Sequence, residues 1–325
     1  MAELSANTQA ILLLTAPLIS RAANDSADLF TPAEFRKLEA LLTGLNLQPA
    51  DLMTSNVINL SSEATIDIDR IRRLMDRGLR LNQAVEDWEA HALWIVSTAD
   101  AAYPQKLRER LGSQTPSLLY GCGSIDLLDL GGLAVVGSRD VDSWLVQYTE
   151  AIGTLAAEWD CPIVSGGARG IDQASMRGAL DSGGKAIGVL SDSLQRVAMN
   201  REHRDLLTDQ RLALISPFDP LAGFNVGHAM QRNKLIYALS DCALVVNSDL
   251  DKGGTWAGAV EQLDKLHLVP VYIRSTGEIG EGLEALRRRG ALSWSNPTTR
   301  EEFQKLLEAK TVAPNTDYSA QLSLL

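Results

Sequence analysis

Pro162-Ile163-Val164-Ser165-Gly166-Gly167-Ala168-Arg169-Gly170-Ile171-Asp172 decides the fold. A short apolar stretch runs into a glycine-rich turn, and the turn opens a helix-like segment. That order aims backbone N–H groups and a helix N-terminus at whatever lies above a sheet edge, a natural seat for phosphate. The same grammar recurs around Val136-Gly137-Ser138-Arg139 and Lys252-Gly253-Gly254-Thr255. Glycine alone marks any tight strand-to-helix turn. Glycine with a hydroxyl and a cation, three times over, points to a binding edge.

Outward from these turns, residues 133–273 alternate strand and helix. Leu133–Val136, Pro162–Val164, Ala186–Leu190, Leu212–Ile215, Ala243–Val246 and Leu268–Ile273 read as strands. Trp144–Trp159, Asp172–Leu180, Gly227–Leu239 and Trp256–Leu266 read as the helices between them. Near-continuous apolar strands separated by helices predict an α/β fold, a doubly wound and mostly parallel sheet covered on both faces. Right-handed crossovers then place all three turns at the carboxyl edge. Residues 8–93 carry apolar positions at helical spacing, as in Phe35-Leu38-Leu41-Leu42, and Thr31-Pro32 reads as an N-cap followed by a first-turn proline. The expected organisation is a helical N-terminal domain over 1–93, the α/β domain over 94–295, and a short helix with a flexible tail over 296–325.

Composition sets limits. The chain has 325 residues, 45% hydrophobic and 22% charged, and is long enough for a large domain and a smaller one. Its three cysteines, Cys122, Cys161 and Cys242, have no zinc spacing and predict a reducing, cytoplasmic setting. The apolar run Ala10–Ile19 is short and has no basic residue before it, so a buried amphipathic helix is expected rather than a signal peptide or a membrane span. The net charge of −11 argues against general coating of nucleic acid and leaves room for cations focused in one cleft.

Neither a dinucleotide fingerprint nor a Walker Gly-Lys-Ser/Thr is present. Arg232-Asn233-Lys234 lies on the helix before the fifth strand. The spacing fits two readings: cations snorkelling on a solvated face, or cations aimed at the same cleft with Asn233 bonding a backbone or a base edge. His91, His203, His228 and His267 share no metal spacing, and His228 alone lies near a motif, where it fits a ligand contact or an ordinary surface or core position. No metal and no cofactor are expected.

Ser165-Gly-Gly-Ala-Arg-Gly-Ile-Asp172, Arg232-Asn-Lys234 and Gly137-Ser-Arg139 resemble the signatures of the DprA/Smf family of DNA-processing proteins. Asp100-Ala-Ala-Tyr103-Pro104-Gln-Lys-Leu107 and Pro116-Ser-Leu-Leu-Tyr120-Gly121 are similar to two further segments of that family. The resemblance runs from about residue 95 to 295 in family order. It implies an extended Rossmann-like domain that binds single-stranded DNA in a basic pocket and helps load a RecA-type recombinase, as in DNA recombination and natural transformation. Departures from the pattern are Ser175 where the family has histidine, Arg196–Asn200 in place of a tyrosine-proline, and Lys252-Gly253-Gly254-Thr255 in place of a Ser-Gly-Ser/Thr turn. No C-terminal winged helix is expected.

On this reading Arg139, Arg169, Arg232 and Lys234 neutralise phosphates, and Lys252 and Asn233 belong to the same DNA-binding edge. Ser138, Ser165, Gly166, Gly167 and the Gly253-Gly254-Thr255 turn are expected to donate N–H and hydroxyl bonds to phosphate oxygens, and Gly137, Gly170 and Asp172 complete the edge. The expected protein is non-enzymatic and a homodimer. The alternative is a nucleotide phosphoribohydrolase of the same superfamily, whose P-G-G-x-G-T-x-x-E turn is echoed by Gly253-Gly254-Thr255 and the late Glu261. A separate expectation concerns Gln321-Leu322-Ser323-Leu324-Leu325, which resembles the peptide that docks bacterial proteins on the sliding clamp.

Overall fold

The computed structural model describes residues 4–18, 28–54 and 67–309. Helices open the chain: α1 (Ala6–Thr15), α2 (Pro32–Gly44), α3 (Ile68–Met75) and α4 (Gly78–Ala90). Next come β1 (Trp94–Ser97), α5 (Gln105–Leu111) and β2 (Leu118–Gly123). Alternation follows with β3 (Leu133–Val136), α6 (Ser143–Glu158), β4 (Ile163–Ser165), α7 (Ile171–Asp181), β5 (Ala186–Val189), α8 (Leu194–Ala198), α9 (Arg201–Thr208) and β6 (Leu212–Ser216). It continues with α10 (Val226–Leu239), β7 (Cys242–Val245), α11 (Gly253–Glu261), β8 (Val271–Ile273), α12 (Glu281–Arg288), β9 (Leu292–Ser293) and α13 (Arg300–Glu308). None of the described helices is long and apolar enough to cross a membrane.

The chain divides into two compact units, Met1–Asp129 with Gly188–Arg232, and Leu130–Ile187 with Asn233–Leu325. In the first, the capping box at Thr31 is formed as its sequence predicts: the Glu34 N–H donates to the Thr31 hydroxyl and the Thr31 N–H donates to the Glu34 carboxylate. The run Ala10–Leu14 is buried on every side, so α1 is a central helix rather than the expected amphipathic one. Its C-terminal carbonyls are met by Arg77, whose guanidinium donates to the oxygens of Leu13, Ala16 and Pro17.

The family-like segments of this unit act as anchors. The Asp100 carboxylate accepts from the hydroxyls of Ser5 (2.6 Å) and Thr8 (2.5 Å) and from the Ser97 N–H (2.7 Å), tying α1 to the end of β1. The Tyr103 hydroxyl donates to the Pro116 carbonyl at 2.7 Å, joining the start of α5 to the approach to β2. Here β1 pairs with β2 and β2 with β6, both antiparallel. Leu212–Ile215 of β6 are buried, as expected of a strand covered on both faces.

In the second unit the strands are parallel, in the order β4-β3-β7-β8-β9. Leu133 stands opposite both Ile163 and Cys242, so β3 lies between β4 and β7. After β3 the chain moves one way to β4, and after β7 it moves the other way to β8 and β9. Right-handed crossovers therefore put α6 on one face and α11 and α12 on the opposite face. The strand order reverses between β3 and β7, which is where open α/β sheets hold ligands.

Candidate nucleic-acid interface

The turn after β3 is joined to the turns after β7 and β4. The Thr255 hydroxyl donates to the Gly137 carbonyl at 2.9 Å, and the Val246 N–H to the Val136 carbonyl at 3.0 Å. On the other flank the Ile171 N–H reaches the Ser138 carbonyl at 3.4 Å. Gly170 sits under this contact with φ 87°, and a Cβ there would lie 2.6 Å from the Ser138 oxygen and 2.5 Å from the Arg139 oxygen. Only glycine gives both the left-handed conformation and the approach. Gly137 also leaves no room for a side chain, since a Cβ there would meet the Ile171 side chain at 2.5 Å.

The three helices that follow these turns have different N-termini. On α6, Asp142 is the N-cap and its carboxylate accepts from the Leu145 N–H at 2.8 Å, so an acid already occupies that position. By contrast α7, preceded by Gly170, and α11, preceded by Lys252, have no side-chain cap. The first turn of α11 carries no acidic residue, and Lys252, Gly253 and Gly254 are exposed. Neither end is covered by a side-chain cap, but α7 carries the buried Asp172 in its first turn, so α11 is the end whose dipole is fully open to an anion.

Arg139, Arg169 and Arg177 line one cleft of about 370 Å³, together with Asp140, Val146 and Gln173. Arg169 pairs with Asp140 at 2.7 Å, with the two side chains 76% and 90% exposed. A pair this exposed is worth about 0–1 kcal/mol, so a phosphate can take the place of the aspartate. Arg177 is held by Glu150 across the α6–α7 packing. Gln173 and Arg177 were not among the sequence candidates, although they stand four residues apart on one face of α7, just after the Arg169 turn.

Other candidates fall into place differently. The Ser165 hydroxyl is buried and donates to the Val135 carbonyl at 2.6 Å. That proton is spent inside the sheet, which corrects the expectation that Ser165 donates to a phosphate. Asp172 is buried and accepts from the Ala168 N–H at 3.4 Å, closing its own turn. Gly167 takes φ 66° beside the buried Gly166. Asn233 donates to the Gly254 carbonyl at 2.9 Å, and Lys234 pairs with Glu261 at 3.3 Å, so both brace α11.

Arg232 belongs to the first unit and is only 6% exposed. It therefore does not stand on a solvated face. It shares the buried stripe of α10 with Leu235, Ile236 and Leu239, at spacings of three, four and seven residues. Half-buried His228 stacks on Phe218 with ring centroids 3.8 Å apart. Among the described residues no cluster of His, Cys, Asp and Glu could hold a metal ion. The peptide 321–325 lies outside the described residues.

A family model described as DNA recombination-mediator protein A matches residues 94–302. The putative DNA processing protein DprA of Mycobacterium tuberculosis (strain H37Rv) is 30% identical over 232 residues, 69% of this chain and 57% of the relative. The DNA processing protein DprA of Streptococcus pneumoniae is 30% identical over 221 residues, 67% of this chain and 76% of the relative. Protein Smf of Escherichia coli K12 is 34% identical over 193 residues, 56% of this chain and 49% of the relative. The chain thus spans between about half and three quarters of the length of these relatives.

Among solved structures, the X-ray structure of S. pneumoniae DprA matches with a TM-score of 0.62 and 22% identity, covering 82% of this chain and 95% of that one. DNA processing protein A of Helicobacter pylori, solved for its single-stranded-DNA binding mode, matches with a TM-score of 0.52 and 24% identity, covering 65% of this chain and 93% of that one. These two likenesses establish a shared Rossmann-like α/β fold. With the family match running over most of its α/β portion, the chain belongs to the DprA/Smf family of DNA-processing proteins.

Proposed function

We propose that the protein binds single-stranded DNA along the carboxyl edge of β4, β3 and β7, without sequence preference and without chemical turnover. The observation that carries this reading is the cleft in which exposed Arg139 and Arg169 face the uncapped N-terminus of α7. Guanidinium groups and helix-end N–H groups together recognise phosphate and carry no base information. Focusing the cations in one cleft reconciles a phosphate ligand with a net charge of −11. The two carboxylates that the hydrolase alternative offers are engaged: Asp172 holds its own turn and Glu261 is paired with Lys234. Neither is poised as a general base for glycosidic cleavage, which favours binding over the phosphoribohydrolase alternative.

Family membership supports the wider role of protecting single-stranded DNA and helping to load a RecA-type recombinase during DNA uptake and recombination, in a cytoplasmic homodimer. The Gln321–Leu325 peptide would add a tether to the sliding clamp. The decisive experiment is a filter-binding comparison of single-stranded DNA, duplex and nucleoside monophosphates, with free base assayed in the same samples. Preferential retention of the single strand with no base release is expected. Base release from monophosphates that disappears in Glu261→Gln would overturn the reading in favour of the hydrolase.

A further inference from the structure

Trp144 lies at the start of α6, on the connection that also carries Arg139, Asp140 and Val141 into the arginine cleft. It is 46% exposed, whereas Trp88, Trp256 and Trp294 are buried. Its ring is held in place from behind. Tyr148, one turn further along α6, stacks against it with centroids 5.6 Å apart and planes at 16°. The Tyr148 hydroxyl is bonded to Asn296 at 3.0 Å.

The guanidinium of Arg274 lies 5.3 Å from the Trp144 ring centroid. Arg274 is itself buried and fixed, donating to the carbonyls of Val246, Thr276 and Glu278. Gly277 closes the seat: a Cβ there would lie 2.6 Å from the edge of the Trp144 ring. A large aromatic surface is thus immobilised at the sheet edge by a tyrosine, a buried cation and a bare stretch of backbone, while about half of it stays open. The surrounding groups are polar, including Ser275 and Asn296, which are hydrogen-bonded to one another. This is a poor seat for an apolar protein segment and a good one for a planar ring with polar edges.

We propose that Trp144 is a stacking platform for a nucleobase of the bound single strand, continuing the phosphate path beyond the arginine cleft. The inference rests on the single-stranded-DNA reading above. Val146, in the cleft, and Trp144 are two residues apart on α6 and so lie on opposite flanks of its first turn. A strand that leaves the cleft need cross only the end of that helix, about 10 Å wide with its side chains, to lay a base on the ring. Every base has a π-face, so such a contact adds affinity without adding sequence preference.

The test uses the full-length protein with oligothymidylate, the same strand carrying abasic residues, and thymidine monophosphate. Expected for the wild type are quenching of tryptophan fluorescence by oligothymidylate and weaker binding of the abasic strand. Trp144→Leu is expected to lose most of the quenching and roughly tenfold in oligothymidylate affinity. Its salt slope should be unchanged, because no phosphate contact is removed. Trp144→Phe should keep most of the affinity, which separates stacking from any loss of folding. If the wild type binds oligothymidylate and Trp144→Leu binds it equally well with the same quenching, the stacking assignment falls and the arginine cleft stands. Quenching by the monophosphate as strong as by the strand would overturn the assignment in favour of a free-nucleotide site. Should the wild type bind no single strand, both readings fall.

Discussion

The Thr255 hydroxyl donates to the Gly137 carbonyl at 2.9 Å, linking residues 118 positions apart in the chain. One hydrogen bond thereby joins the turn after β3 to the helix after β7 across the reversal point of the sheet. Any ligand seated there depends on the separation of these two turns. Thr255→Val keeps the shape and removes the donor, and about 1 kcal/mol of stability should go with it. Single-stranded-DNA affinity should fall with it, while Thr255→Ser should restore both. Urea midpoints and binding isotherms measured on the three proteins decide the matter. A valine variant equal to wild type in both would show that the bond does not hold the edge.

Gly170 offers a sharper perturbation. Its φ of 87° and the Ser138 and Arg139 oxygens within 2.6 Å of a notional Cβ leave no flexible side chain to yield. Gly170→Ala should therefore cost about 1–3 kcal/mol in backbone strain and displace the Arg139 turn. DNA binding should be lost more completely than in any single arginine variant. The check is a thermal melt alongside DNA binding well below the new midpoint. Unchanged binding in a folded Gly170→Ala protein would place the DNA away from this turn.

The arginines separate by burial. Exposed Arg139 and Arg169 should each be replaceable by alanine within about 0.5 kcal/mol of stability. Each loss should reduce the salt slope of single-strand binding by about 0.7 per phosphate contact, on all sequences alike. Arg232→Ala should instead cost about 1–3 kcal/mol of stability, because a buried side chain and its packing are removed. Salt slopes that stay at the wild-type value in both Arg139→Ala and Arg169→Ala would remove the cleft from consideration.

The difference between Arg169 and Arg232 also shows what a sequence can disclose. The strands β3, β4 and β7 and their turns were legible because doubly buried parallel strands are apolar throughout and each is followed by a glycine-bearing turn that opens a helix. The start of α2 was legible from Thr31-Pro32, since a cap is local chemistry. By contrast β1 and β2 were hidden. Gly121 and Gly123 in β2 read as breakers. Arg232 was ambiguous because cation identity suggests solvent, whereas its spacing to Leu235, Ile236 and Leu239 marks the inward face. The hydroxyl of Ser165 looked available for a ligand, and only the neighbouring strand reveals its partner, the Val135 carbonyl. The return of residues 188–232 to the first unit has no local marker at all. Neither does the seat of Trp144, whose supports, Arg274 and Gly277, lie far away in the chain.

Asp100 connects the first unit's helices to its sheet and should make stability depend on acid. Burial by itself pushes its carboxyl upward. The bonds it accepts from Ser5, Thr8 and Ser97 together outweigh that effect and hold it below the usual aspartate value. A carboxyl depressed in the folded state binds its proton more tightly when unfolded, so it contributes stability above the unfolded value of about 3.9. That contribution is lost as the pH falls through the lower folded value. Asp100→Asn should thus be less stable than wild type near neutrality, and the gap should narrow below about pH 4. Urea unfolding of both proteins at a series of pH values between neutrality and this range measures the gap directly. A gap of constant size across the series would mean that the carboxylate is not what ties α1 to the end of β1.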